Sequence, residues 1–192
     1  MKKLFPLVIL LGMFDASFAQ GEKKPFIRKG LLRATSTISM GGITKISLHG
    51  NLEYYIADNV SIRGDSYYSL KMFKPMWQLD FRPYLASNHQ TLAGFSYHFP
   101  TKNHFDPYLG FQPGVAISQS ITEGGIYSNQ TANPIISPLI GFNFYFENWF
   151  HLFAETRYVI GNHLSDLYEP VSLNELKISF GLGFNLNLLK KK

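Results

Sequence analysis

The sequence predicts an all-β fold: a closed, up-and-down antiparallel transmembrane β-barrel of eight strands with a polar lumen filled by side chains. Three features carry that prediction. Segments of roughly ten residues alternate between apolar and small or polar side chains, with turn residues between them. Aromatic residues are abundant, with 17 Phe and 11 Tyr against 16% charged residues in 192, and aromatic side chains favour strands. The connections fall into a short and a long class that alternate along the chain, as the two rims of such a barrel require.

Length and composition fit one domain that needs no staples. There is no Cys, so neither a disulfide nor a thiolate metal site contributes. Residues 1–19 carry Lys2 and Lys3, the apolar run "LFPLVILLGMF" and then "SFA" before Gln20, which reads as a signal peptide cleaved after Ala19. That run is too short to cross a bilayer, and no other stretch approaches ~20 continuous apolar residues, so a helical membrane protein is not expected. The formal charge of +5 drops by one when Lys2, Lys3 and Asp15 leave. So mild an excess of cations makes no case for nucleic acid. Residues 20–29, "QGEKKPFIRK", form a polar periplasmic lead-in, 30–189 the barrel, and 190–192 a periplasmic lysine tail.

The eight strands are expected at 30–40, 43–56, 60–71, 90–99, 107–120, 135–146, 151–161 and 174–188. The last alternates without a break: Ile178, Phe180, Leu182, Phe184, Leu186 and Leu188 face one way, Lys177, Ser179, Gly181, Gly183, Asn185 and Asn187 the other. The sixth sets Ile140, Phe142, Phe144 and Phe146 against Gly141, Asn143 and Tyr145. The fifth sets Leu109, Phe111, Pro113, Val115 and Ile117 against Tyr108, Gly110, Gln112, Gly114, Ala116 and Ser118. In the seventh, Glu155 and Arg157 share a face with Phe153 and Val159. The first, around Leu32, Ala34 and Ile38, alternates least cleanly.

Connections 57–59, 100–106 and 147–150 are short, whereas 72–89, 121–134 and 162–173 are long. Both chain ends therefore belong with the short, periplasmic rim. Tyr54, Tyr55, Phe99, Phe105, Phe146, Trp149 and Phe150 crowd that rim as an interfacial girdle would.

The small and charged residues decide which face is wet. Gly, Ser, Asn, Arg and Glu make no core for a soluble barrel, whereas stripes of Phe, Leu and Ile suit lipid. In hydrocarbon every backbone polar group must be paired internally, so the eighth strand must close onto the first. The lumen is expected to hold an ionic network of Arg33, Lys45, Glu53, Arg63, Asp65, Glu155, Arg157 and Lys177, with His49 and His98 among them. Eight strands enclose only enough room for side chains, so these groups should pair with one another and plug the interior.

No catalytic, cofactor or metal residues are assigned. His98, His104, His151 and His163 lie on separate segments at no ligand spacing, and no nucleophile motif accompanies them. Glu155 and Arg157 read as an internal brace before they read as a catalytic pair. In the long loop 72–89, Phe73, Met76, Trp77, Phe81 and Tyr84 are too apolar for an ordinary solvated loop. They are contact candidates unless the loop extends the wall and folds over the mouth.

The phrases "YYIADNVSIRG", "DPYLGFQPGVA" and "FAETRYVIG" resemble small eight-stranded outer-membrane β-barrel proteins of the OmpX, OmpW and OmpA-barrel type. The resemblance is strongest to the "outer membrane protein beta-barrel domain" chains of Bacteroidota, and it covers 28–189. It implies residence in the bacterial outer membrane among lipid and lipopolysaccharide, and insertion by the barrel-assembly machinery. The family's insertion signal maps onto Ser179, Gly181, Phe184 and Leu186, with Leu where the family usually ends in an aromatic residue. Because fold does not fix activity, the expected function is coarse: a non-catalytic structural or recognition component that acts through its extracellular loops. The alternatives are an accessory subunit of a larger transport or secretion complex, and a narrow small-solute channel.

Overall fold

The computed structural model describes residues 28–41, 45–72, 84–101, 104–122, 124–165 and 169–189. The expected signal peptide, residues 20–27 of the expected lead-in, Phe73, Met76, Trp77, Phe81 and the expected lysine tail lie outside these residues. Eight long strands are formed: β1 (Leu31–Gly41), β2 (Lys45–Ala57), β3 (Val60–Met72), β4 (Tyr84–His98), β5 (Phe105–Ile121), β6 (Thr131–Tyr145), β7 (Phe150–His163) and β8 (Glu175–Asn187). The described residues contain no helix. Each strand pairs antiparallel with the next. β8 closes onto β1, from Leu31↔Asn187 to Gly41↔Lys177. The barrel therefore has no free edge, the condition hydrocarbon imposes.

The alternation read from the last strand governs both faces. Ile178, Phe180, Leu182, Phe184 and Leu186 are 50–63% exposed on the outer wall, while Lys177 and Ser179 are buried inside. Such an apolar belt on the outside of a barrel is the surface a bilayer accepts. The turn Asp58–Asn59, the strand ends at His98, Phe105, Tyr145 and Phe150, and both ends of the described chain lie at one rim; the strand ends joined by the long connections lie at the other.

Four expectations are corrected. β4 begins at Tyr84 rather than 90, so the last third of the supposed loop 72–89 is wall. A register shift between Leu85 and Ser87 scrambles the alternation that would have revealed it. β5 begins at Phe105, which turns Asp106 from a turn residue into a buried lumen residue. Tyr55 belongs to the lumen rather than the girdle, being fully buried. β6 begins at Thr131, and within the long 164–174 connection Val171–Ser172 pairs with the end of β7.

Candidate functional site: the filled lumen

The lumen holds the molecule's buried chemistry, stacked in layers from the short-turn rim upward. Nearest that rim, Asp106 collects most of the donors. Tyr55 Oη, Tyr145 Oη and Asn143 Nδ2 each donate to it at 3.0 Å, and Arg28 Nη2 lies 3.2 Å away. His98 bridges two carboxylates, with Nδ1 3.0 Å from Asp106 Oδ1 and Nε2 2.9 Å from Glu53 Oε1. Glu53 also accepts from Arg33 and from Ser61. Arg28 is fixed from behind, because the amides of Arg28 and Lys29 both donate to Asp58 Oδ1 in the β2–β3 turn, at 3.0 and 2.9 Å.

The middle layer is built on Asp65 and Glu155. Arg63 binds Asp65 in the two-pronged manner that suits a guanidinium, with Nε 2.8 Å from Oδ2 and Nη2 2.7 Å from Oδ1, and it also reaches Glu155. Arg157 Nη2 lies 3.0 Å from both Asp65 Oδ1 and Glu155 Oε1. Tyr108 Oη donates to Glu155 at 3.0 Å. The ring of Tyr108 has room because residue 141 on β6 is glycine; a Cβ there would stand 2.6 Å from Tyr108 Oη. Gln112 donates to Asp65 Oδ2 at 2.7 Å and accepts from Arg157 Nη1 at 2.8 Å. His49 Nε2 sits 2.7 Å from Asp65 Oδ1 while its ring stacks on Tyr67 at 4.2 Å. Above them Lys177 Nζ pairs with Glu175 at 3.0 Å and lies 4.4 Å from the Tyr67 ring centre.

Toward the long-loop rim the chemistry changes. Tyr67, Leu85, Leu92, Ala116, Ile135, Val159 and Leu173 form one buried apolar cluster inside the barrel. The lumen is polar as expected, and in its upper part this apolar cluster sits among buried polar side chains such as Asn88, Gln90, Ser118 and Asn133. Beyond this plug, His163 Nδ1 lies 2.9 Å from Ser118 Oγ and 3.1 Å from Thr131 Oγ1, joining β5, β6 and β7.

Arg33, Glu53, Arg63, Asp65, Glu155, Arg157 and Lys177 all sit inside, buried and paired. Lys45 lies on β2 at the long-loop rim, its side chain outside the described residues. Sequence reasoning missed Arg28, Asp106 and Glu175. Asp106 shares the parity of Tyr108 and Gln112, and Glu175 that of Lys177, so a longer alternation window would have found both. Among the described residues the buried Arg and Lys side chains number five (Arg28, Arg33, Arg63, Arg157, Lys177). The buried carboxylates also number five (Glu53, Asp65, Asp106, Glu155, Glu175).

His49, Asp65 and Glu155 offer ligand atoms within 4.8 Å of one another. Both carboxylates are already held by Arg63 and Arg157, and two guanidinium groups repel any cation placed between them. This arrangement suits an internal ionic brace. Of the remaining candidates, Tyr84 is half-buried on β4. Ser179 Oγ donates to Ser39 Oγ at 2.9 Å, Gly181 is on the same strand, and Phe184 and Leu186 face outward.

No family model and no curated protein sequence matches the chain. Solved structures do resemble it. The N-terminal β-barrel domain of Pseudomonas aeruginosa OprF aligns with a TM-score of 0.60 at 15% identity, covering 82% of this chain and 98% of that one. Neisserial surface protein A aligns at 0.57 and 14%, covering 82% and 96%. The outer membrane protein OprG of Pseudomonas aeruginosa aligns at 0.51 and 13%, covering 87% and 98%. At these identities the likeness is one of fold: the chain is a closed eight-stranded transmembrane β-barrel.

Proposed function

We propose that the protein is a non-catalytic bacterial outer-membrane barrel with a sealed lumen, whose recognition is carried by the long-loop, extracellular rim. The observation that carries this reading is the lumen itself: matched charges and an apolar plug fill the space a solute would need. Outer-membrane residence is supported by the apolar outer wall and by solved neighbours such as the outer membrane protein OprG. On the same reading, Ser179, Gly181, Phe184 and Leu186 serve as the strand that the assembly machinery engages. Planar-bilayer recording tests the sealed lumen. The expected record has no defined conductance steps, whereas reproducible unitary steps would overturn this reading in favour of the narrow channel.

A further inference from the structure

Three lipid-facing prolines sit within the wall, where a ladder donor is ordinarily required. On β5 the pairing with β4 runs to Leu92↔Gly114 and resumes at Phe95↔Phe111, skipping Pro113 and its neighbour Gln112. On β6 the pairing with β7 includes Ile136↔Ile160 and resumes at Leu139↔Arg157, skipping Ser137 and Pro138, and it ends before Pro134. In an antiparallel ladder each residue directs its N–H and C=O to one neighbour, alternately left and right. These gaps follow from that rule. Pro113 withholds a donor from Ala93 on β4, and Pro138 withholds one from Tyr158 on β7. Between the two broken seams, the β5–β6 ladder runs unbroken from Phe105↔Phe144 to Ser118↔Thr131.

Gln112 stands at the first gap and reaches across both. Its amide nitrogen donates to the Arg63 carbonyl oxygen at 3.2 Å and to Asp65 on β3, beyond β4. Its oxygen accepts from Arg157 on β7, beyond β6. Higher up, Asn133 on β6 accepts from the Leu164 amide just past β7 at 3.0 Å. The gap at the closing seam, between Thr35↔Gly183 and Ser39↔Ser179, differs in kind. No proline causes it, and the Thr37 hydroxyl donates to the Phe180 carbonyl across it at 2.6 Å.

We propose that the β5–β6 hairpin is a movable panel of the barrel wall: rigid within itself, loosely sewn to β4 and β7 by proline-broken ladders, anchored at its short-turn end by Asp106 and Tyr108, and latched from inside at the height of the gaps by Gln112. Gln112 is a positioning residue that holds the panel shut. Amide exchange of the full-length protein in lipid nanodiscs tests this. The seam amides of Ala93, Phe95, Tyr158 and Ile160, which point across the two broken ladders, should exchange at least tenfold faster than the hairpin amides of Gly110, Gly114, Ile135 and Leu139. Gln112→Leu should widen that difference while leaving the β1–β2 hairpin unchanged, and Pro113→Ala with Pro138→Ala should narrow it by restoring the two donors. Uniform protection around the wild-type barrel would overturn the panel. So would a Gln112→Leu effect spread equally over β1 and β2, or a proline variant whose seam exchange is unaltered.

Discussion

The lower and upper halves of the lumen fill the same kind of space by opposite means. Below and at mid-height, Arg, Asp, Glu, His and Tyr side chains pair with one another; above, Leu85, Leu92, Ile135, Val159 and Leu173 pack together as an apolar cluster. The two fillings differ in how they fail. An ionic layer is costly to bury and depends on every partner being present, whereas an apolar layer loses what the removed atoms contributed plus a cavity term that local collapse reduces. Tyr67 stands at the boundary, stacked on His49 and under Lys177 while packed against the leucines above.

That contrast breaks hardest at Asp65. Asp65→Ala leaves Arg63, Arg157 and His49 facing one another without their shared acceptor. Unfolding in urea, followed by the gel-mobility shift of the heated barrel, should show a loss of roughly 3–5 kcal/mol. Leu92→Ala tests the upper half, and the same assay should show a loss toward the lower end of about 2–5 kcal/mol, because the neighbouring apolar side chains can settle into the cavity. If Leu92→Ala cost more than Asp65→Ala, the ionic layer would not be the part that depends on completeness. Tyr67→Phe removes one donor to Glu155, 3.3 Å away, and keeps the ring. It should cost about 1 kcal/mol, with stacking on His49 preserved.

The sequence was most informative where alternation ran unbroken. β8 could be drawn residue by residue, and the pairing of Glu155 with Arg157 followed from two residues of one strand sharing a face. It was least informative where covalent geometry or register disturbed the period of two. The bulge at Leu85–Ser87 concealed the first turn of β4. Pro107, following "NHFD", made Asp106 resemble a turn residue, because proline usually ends a strand. Arg28 left no local sign at all: it belongs to a polar lead-in, and it is held in the bore by Asp58 at its amide, thirty positions away, and by Asp106 at its guanidinium. The apolar plug was hidden for another reason. Its members come one or two from each of several strands and the connection before β8, so no single segment departs far from the expected pattern.

The equal numbers of buried cations and carboxylates have a consequence for how the protein meets its solvent. Mobile ions screen charges that water can reach, over about 10 Å at 0.1 M salt, and they cannot enter a bore that is already full. Adding salt should therefore leave the unfolding midpoint of the barrel almost where it was, although the described residues carry ten opposed charges inside the lumen. The charge that surrounding water detects resides on the turns, loops and tails. The interior behaves as an electrically quiet strut whose cohesion is set by geometry rather than by ionic strength.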